Sequence, residues 1–265
     1  PVSARKRFQA HFLMPFLPVM NINLFSITLR YGIDCMVVLP ENLKKGEKLK
    51  CLWLYHGGSG DHTAWLYHTP LVELAEEKHF AAVLPNVHES CFVNMNIGDA
   101  FGTFVGKELP SVIWNMFACI SGERQDNYIA GFSNGGYGCL HTALSYPQKF
   151  AGVGAFSAGD KADSDFSSPA KQKSRLLLFG EGDLHENDYG LTHLAGKLLT
   201  ENVDKPRIFH ACGGKDPWLM QNHILRDYFT AHPGFDYTYD EIPELGHEWK
   251  FWNEELKRFL DFLHW

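Results

Sequence analysis

A serine placed between two glycines constrains this chain more than any other feature of its sequence. The apolar residues 128–130 lead into the pentapeptide GFSNG at residues 131–135, and residues 137–144 have the composition of a buried helix. A serine at such a strand-to-helix turn adopts a strained backbone conformation that exposes its Oγ above a sheet, and the glycines prevent clashes around it. The pattern predicts that Ser133 is a nucleophile. The alternative is a tight turn in which the serine is only a small polar residue.

The length and composition fit one large α/β domain covering residues 1–265, which we predict, or at most two small domains. Hydrophobic residues make up 45% and charged residues 21% of the chain, so a core can form without disulfide or metal crosslinks. The net charge is −7, and the longest basic run is the three residues 5–7, which together argue against nucleic-acid binding. The sequence has no His-Glu-x-x-His motif and no cluster of Cys and His residues, so no metal site is predicted.

The six cysteines are scattered, and none forms a Cys-x-x-Cys pair, which favours a reduced, cytoplasmic protein over a disulfide-bonded one. The basic residues 5–7 and the apolar residues 11–19 share some features with an export signal. Two prolines interrupt the apolar run, no Ala-x-Ala cleavage site follows it, and it is too short to cross a membrane. We therefore predict an edge strand and loop here and a cytoplasmic protein without a membrane partner, with export as the alternative.

Short apolar segments rich in β-branched residues alternate with longer helical patterns along the chain. The predicted strands cover residues 35–39, 49–55, 80–84, 128–131, 152–156, 175–179, 207–211 and 236–242. The predicted helices cover residues 63–77, 104–119, 133–146, 188–199, 217–231 and 250–263. The alternation predicts an α/β protein whose mostly parallel central sheet has helices on both faces, after an antiparallel N-terminal hairpin. Ligands of such sheets bind at the carboxyl ends of the strands.

A nucleophilic serine needs a histidine to accept its proton and a carboxylate to orient that histidine, in the chain order serine, acid, histidine. Eight histidines follow Ser133, and most of them lie within predicted helices or strands or at helix ends. His247 lies instead in the loop at residues 243–249, between a predicted strand and the last helix, and Gly246 frees its backbone. We predict that His247 is the base. The alternative is an ordinary loop or helix N-cap histidine.

Two aspartates compete as the acid, each in a loop that follows a predicted strand. Asp216 follows the strand directly before the strand that carries His247, and Pro217 begins a helix after it. Asp183 is followed by a polar stretch at residues 184–188 that is typical of a solvated helix start. We predict Asp216 as the acid and helix capping as the role of Asp183.

The oxyanion of a tetrahedral intermediate needs two hydrogen-bond donors. One is the backbone N–H of the residue after the nucleophile, which is Asn134, and the other comes from the loop after an early strand. Here that loop is HGGSG at residues 56–60, whose glycines allow the backbone to approach a substrate closely. We predict Gly58 as the second donor, with Ser59 as the alternative, and His56 as a residue that shapes the loop.

Four sequence elements, taken together, resemble the putative-esterase (esterase D-like) family of the α/β-hydrolases, and within it the bacterial tributyrin esterases. They are HGGSG at 56–60 with Trp65, GFSNGGYG at 131–138, CGGKD at 212–216, and GHEW at 246–249 with Trp252. The resemblance implies an α/β-hydrolase fold, hydrolysis of short acyl esters without a cofactor, and Ser133, Asp216 and His247 as the catalytic triad. Asn134 stands where methionine is common in the family, and the oxyanion loop lacks the Ser-Gly-Leu-Thr-Cys sequence of S-formylglutathione hydrolases.

The sequence therefore predicts a serine carboxylesterase that forms an acyl-enzyme and acts on small acetyl- or butyryl-type esters. Alternatives within the fold are a feruloyl or carbohydrate acetyl esterase and an S-formylglutathione-type thioesterase, and alternatives of another class are an acyltransferase and a non-catalytic binding protein. Trp65, Trp218 and the segment at residues 88–104 follow strand ends and could line the substrate pocket, or could be ordinary loop packing. The sequence leaves the acyl chain, the alcohol and the formation of a homo-oligomer open.

Overall fold

A computed structural model describes residues 19–265 of the chain. The edge strand and loop predicted at residues 11–19 therefore lie outside the described residues, except for Val19 at the start of the first strand. No helix within residues 19–265 is long and apolar enough to cross a membrane.

The centre of the molecule is an eight-stranded sheet. In chain order its strands are β1 Val19–Phe25, β2 Gly32–Val38, β3 Lys50–Tyr55, β4 Phe80–Pro85, β5 Asn127–Phe132, β6 Gly152–Phe156, β7 Arg207–Gly213 and β8 Tyr237–Ile242. Their order across the sheet is β1-β2-β4-β3-β5-β6-β7-β8. The pairs β1–β2 and β2–β4 are antiparallel, and all later pairs are parallel. The predicted parallel sheet with an antiparallel N-terminal hairpin is confirmed.

The helices of the described residues lie between these strands in the chain, except for the last helix, which follows β8. They are α1 Ala64–His68, α2 Leu71–Lys78, α3 Phe101–Thr103, α4 Leu109–Met116, α5 Asn134–Ser145, α6 Pro169–Phe179, α7 Leu191–Thr200, α8 Leu219–Ala231 and α9 Trp249–Phe262, with a π-helical turn at Phe104–Glu108 between α3 and α4. The single helix predicted at residues 63–77 is two helices, because Pro70 forces Thr69 into an extended conformation with φ −133° and ψ 156°.

One predicted strand is wrong. Residues 175–179 form the end of helix α6, which begins at Pro169 and is capped by the Ser168 side chain, whose oxygen accepts a hydrogen bond from the Lys171 N–H. A serine N-cap followed by proline at the first helical position is a helix start. This local signal is stronger evidence than the short apolar run at residues 175–179. Because these residues are helical, the strand next to β6 in the sheet is β7.

The core has two parts, one on each face of the sheet. Alternate residues of β3 divide between them: Trp53 and Tyr55 belong to one part, and Leu52 and Leu54 to the other. Residues of α4, α5 and α7 complete the first part, and residues of α1, α2 and α9 complete the second. Helices therefore cover both faces, as the alternation predicted, and the carboxyl ends of the parallel strands are left to loops.

Helix α9 carries a buried carboxyl group. Glu255 has 0% exposure, and no hydrogen bond to either of its carboxyl oxygens occurs among the described residues. The nearest cation is Arg258, whose Nη1 lies 3.6 Å from Glu255 Oε1 and also donates to Asp240. Burial, reinforced by the negative charge of Asp240, raises the pKa of Glu255 to about 8. The folded protein therefore holds this proton in a pH range where an unfolded chain has lost it.

We expect Glu255→Gln to remove part of the pH dependence of stability. Between the ordinary pKa of a glutamate and about 8, only the folded state binds this proton, so the free energy of unfolding falls as pH rises, by up to about 1.4 kcal/mol per pH unit. Glutamine cannot ionise and should flatten this slope. Urea unfolding at pH 5.5, 6.5 and 7.5 measures it, with Glu77→Gln, an exposed glutamate on α2, as the control. Equal slopes in the wild type and Glu255→Gln would contradict the expectation.

Candidate active site

Ser133 stands at the sharp turn between β5 and α5. Its backbone has φ 56° and ψ −121°, a conformation that costs a non-glycine residue free energy and is concentrated at functional sites. The turn is fixed from both sides, because the Ser133 N–H donates to the Phe156 carbonyl at 2.9 Å and the Ser133 carbonyl accepts from the Tyr137 N–H at 3.0 Å. The strained turn predicted from the pentapeptide is present.

The flanking glycines are required by close backbone contacts. A Cβ atom on Gly131 would lie 2.3 Å from the Gly135 carbonyl oxygen, and a Cβ on Gly135 would lie 2.4 Å from the carbonyl oxygens of both Tyr55 and His56. Contacts this short with backbone atoms cannot be relieved by a side-chain rotation. The glycines therefore let helix α5 begin directly against the end of β3, which places the loop after β3 beside Ser133.

His247 and Asp216 form a hydrogen-bonded pair at the ends of β8 and β7. His247 Nδ1 lies 2.8 Å from Asp216 Oδ2, and Asp216 Oδ1 accepts from the Trp218 N–H at 2.9 Å. Burial alone would raise the pKa of Asp216, but the hydrogen bonds from His247 and from the Trp218 N–H outweigh it and leave that pKa below its ordinary value. An ionised carboxylate can only accept, so this contact selects the neutral tautomer with the proton on Nδ1 and the lone pair on Nε2.

Ser133 and His247 line one cavity of about 380 Å³ at the carboxyl edge of the sheet, together with Gly58 and Asn134. The structure thus brings four of the five predicted catalytic and oxyanion residues to one cavity, with the fifth, Asp216, directly behind His247. No hydrogen bond joins Ser133 Oγ to His247 among the described residues. Nucleophile-to-base contacts are often looser before a substrate binds.

The backbone N–H groups of Gly58 and Asn134 belong to residues that line this cavity, and neither has an acceptor among the described residues. Asn134 is the first residue of α5, where helical N–H groups lack intrahelical partners and the helix dipole favours negative charge. The Ser59 N–H, in contrast, donates to the Glu89 carboxylate. Between the two alternatives for the loop donor, this geometry favours Gly58.

His56 links the loop after β3 to the end of β4. It is buried, its Nδ1 lies 2.8 Å from the Gly57 carbonyl oxygen, and its Nε2 accepts from the Val87 N–H at 3.4 Å. Burial holds the pKa of His56 below its ordinary value, so the neutral ring can donate from one nitrogen and accept at the other. These contacts fit the predicted role of shaping the loop.

Asp183, the competing acid, lies away from this cavity. Its Oδ1 accepts from the His185 N–H at 2.9 Å and caps the short 3-10 helix Leu184–Glu186. The strand that would have brought it to the carboxyl edge of the sheet is the end of helix α6. The capping role predicted for Asp183 is therefore what the structure contains.

The two tryptophans predicted to line the pocket have different positions. Trp218 is 44% exposed, lines the cavity, and its ring centroid lies 4.5 Å from that of His247. Trp65 is only 1% exposed, donates from Nε1 to the Tyr55 carbonyl at 2.9 Å and packs against Phe132. Trp65 is thus a core residue, and the prediction that it lines the pocket is wrong. From the segment at residues 88–104 the cavity wall includes Glu89.

The loop after β6 also lines the cavity, which was not predicted from the sequence. Ser157, Gly159 and Lys161 follow this strand and line the cavity. Ser157 Oγ accepts a hydrogen bond from Trp252 Nε1 at 3.2 Å, and Lys161 Nζ donates to Asn134 Oδ1 at 2.9 Å. The available signal was the position of these residues at a strand end, the same signal that identified Asp216 and His247.

Among residues 19–265 there is no group of three or more His, Cys, Asp or Glu side chains that could hold a metal ion.

Comparison with known families assigns the chain. The sequence profile described as "Putative esterase" matches residues 26–263. The chain belongs to this esterase family. A curated acetyl esterase from Caldicellulosiruptor saccharolyticus is 29% identical over 264 residues, which cover 93% of this chain and 98% of that protein.

Solved structures agree with the family. The esterase is similar to Staphylococcus aureus FphF, a fluorophosphonate-binding serine hydrolase, with a TM-score of 0.86 and 26% identity over 93% of this chain and 98% of that one. The S-formylglutathione hydrolase FrmB from the same organism matches with a TM-score of 0.81 and 26% identity over the same shares. The esterase has the α/β-hydrolase fold and is a serine carboxylic ester hydrolase.

Proposed function

We propose that the esterase hydrolyses short-chain acyl esters through an acyl-enzyme on Ser133, with His247 as the general base and Asp216 as its partner. The observation that carries this proposal is the 2.8 Å contact between His247 Nδ1 and Asp216 Oδ2 at a cavity that Ser133 also lines. The carboxylate holds the imidazole in the tautomer whose Nε2 can accept a proton, which is what an unactivated serine hydroxyl requires.

The reaction has two balanced halves. Ser133 Oγ attacks the ester carbonyl carbon while its proton passes to His247 Nε2, and the tetrahedral intermediate collapses as that proton moves to the departing alcohol oxygen. Water then attacks the acyl-enzyme, gives a proton to the same nitrogen and receives the acyl group, and Ser133 regains its hydrogen. In both halves Asp216 remains ionised and stabilises the imidazolium. The lowered pKa of Asp216 supports this role.

The backbone N–H groups of Gly58 and Asn134 would hold the oxyanion. Both line the cavity beside Ser133, and neither has another acceptor among the described residues. Donors fixed in place by the fold stabilise charge that develops only in the transition state, which raises kcat. The Asn134 side chain does not enter this role, so its departure from the methionine common in the family leaves the oxyanion site intact.

A short acyl group is favoured by the dimensions and the lining of the cavity. Its volume is about 380 Å³, and many of its walls are small or polar, including Ser157, Ala158 and Gly159. A long alkyl chain would bring apolar surface against the charged Glu89 carboxylate, whose desolvation is unfavourable. The similarity to a curated acetyl esterase supports the same choice.

A chain-length series tests the proposal. We expect p-nitrophenyl acetate and butyrate to have kcat/KM values about tenfold or more above that of p-nitrophenyl octanoate, because each poorly accommodated part of a substrate costs about 1–3 kcal/mol. S-formylglutathione, methyl ferulate and acetylated xylan belong in the same panel. A fluorophosphonate probe should label the wild type at Ser133, identified by peptide mass spectrometry. Labelling elsewhere, or octanoate as the best ester, would contradict the proposal.

A further inference from the structure

We propose that Lys161 forms an anion-recognition subsite, so that the esterase favours esters whose alcohol part carries a carboxylate. This inference rests on the proposed function and adds a substrate class to it. Lys161 lines the cavity together with Ser133 and His247. Its Nζ donates to Asn134 Oδ1 at 2.9 Å and lies 5.6 Å from the centre of the Tyr137 ring.

Three carboxylates near Lys161 in the chain or the cavity have other partners. Glu89 accepts from the Ser59 N–H. Asp163 Oδ1 lies 3.3 Å from His185 Nε2, and Asp165 Oδ2 lies 2.9 Å from Lys171 Nζ. Within the part of the chain that the structure describes, Lys161 has no carboxylate partner within 4.0 Å. An ammonium has three donors, and the amide oxygen of Asn134 takes one of them. The cavity wall thus presents a cation with donors to spare, whose direct contacts, Asn134 and Tyr137, are uncharged.

The backbone that carries Lys161 is held in place before any substrate arrives. Asp160 is buried; its Oδ1 accepts from the Ala162 N–H at 3.0 Å and its Oδ2 from the Thr192 N–H at 3.1 Å. These bonds cap the 3-10 helix Lys161–Asp163 and tie it to the start of α7. A cation on a fixed backbone, further restrained by Asn134, loses little conformational freedom when it binds an anion.

The location of Lys161 indicates which part of the ester it meets. Beside the catalytic cavity lies a groove of about 370 Å³, and Lys161, Ser164, Trp218 and Gln221 line both. Trp218 packs against His247, and the leaving alcohol must take its proton from His247. The groove therefore starts on the leaving-group side of Ser133. An alcohol that extends into it passes the Lys161 ammonium, where a carboxylate would form a charge-assisted hydrogen bond.

A matched pair of acetyl esters measures this preference. 4-Acetoxybenzoate carries a carboxylate on its phenol part, and its methyl ester is neutral. In Lys161→Met, the ratio of kcat/KM for the anionic ester to kcat/KM for the neutral ester should fall by about tenfold to a hundredfold, as expected for loss of a charge-assisted contact. The intrinsic reactivity of each ester does not depend on the enzyme variant. The change in the ratio of the two kcat/KM values between the wild type and Lys161→Met therefore isolates the contribution of Lys161.

Controls separate recognition from a structural role. Lys161→Arg should retain the preference for the anionic ester, and Lys257→Met, an exposed lysine on α9, should leave both esters unchanged. Equal losses for both esters in Lys161→Met would mean that Lys161 only holds Asn134 in place, and the proposal would be wrong. If kcat/KM changed for neither ester in Lys161→Met, the proposal would also be wrong, but the proposed ester hydrolysis would not be contradicted. Failure of the wild type to hydrolyse either ester would instead contradict the proposed function.

Discussion

Replacing Ser133 by alanine is expected to lower kcat for p-nitrophenyl acetate by on the order of a millionfold, as seen when a nucleophile is removed from a triad that acts as a unit. The variant keeps the turn between β5 and α5 but has no oxygen to form the acyl-enzyme. Steady-state assays of purified protein measure the loss, and fluorophosphonate labelling should disappear with it. The residual rate would report the contribution of the oxyanion donors.

Two controls keep this result interpretable. Alanine also has to adopt φ 56° and ψ −121° at position 133, so the thermal midpoint of the variant should be compared with that of the wild type. Ser145→Ala, at the other end of α5, removes a hydroxyl away from the cavity and should retain full activity. Turnover by a folded Ser133→Ala protein within a factor of ten of the wild type would eliminate Ser133 as the nucleophile.

Asp216→Asn is expected to lower kcat by about ten-thousandfold with little change in KM, the size of effect seen when a triad carboxylate becomes an amide. An amide can donate its N–H to His247 Nδ1, which would fix the tautomer whose Nε2 already carries a proton and cannot accept one. The 2.8 Å contact would remain, but the amide of the variant would be its donor and His247 Nδ1 its acceptor. Pre-steady-state acylation rates distinguish this loss of chemistry from weaker substrate binding.

Asp183→Asn is the matched control for the acid. Asp183 lies at the N-terminus of the 3-10 helix Leu184–Glu186, and asparagine is as good a cap as aspartate. We expect kcat within about twofold of the wild type, because surface substitutions away from special features change little. A larger loss in Asp183→Asn than in Asp216→Asn would reverse the assignment of the acid.

The parts of the site that the sequence predicted are those set by local backbone geometry. The turn at Ser133 depends on glycines next to it in the chain, since a Cβ on Gly131 or Gly135 would collide with backbone oxygens. The positions of Asp216 and His247 follow from the rule that parallel strands present their carboxyl ends at one edge. Each of these features can be recognised from a few neighbouring residues.

The parts that were missed depend on contacts between distant segments. The role of Trp65 is decided by the Tyr55 carbonyl that accepts its N–H, and no pattern around residue 65 indicates that burial. Lys161 lies in the cavity wall, where its Nζ contacts Asn134, a residue of another loop-to-helix junction that is 27 positions away in the chain. The error at residues 175–179 is of another kind, because a short apolar run fits a strand and a buried helix end equally well.

The position of His247 after the last strand has a consequence for how the protein is made. On the proposed assignment, Ser133 leaves the ribosome before β6, β7 and β8, and its hydroxyl has no base until the loop after β8 has docked. Trp252 of the final helix closes this arrangement through its bond to Ser157. Nascent or truncated chains would therefore carry an inert serine. Reactivity toward a fluorophosphonate would mark the moment at which the loop after β8 has been synthesised and has docked beside Ser133.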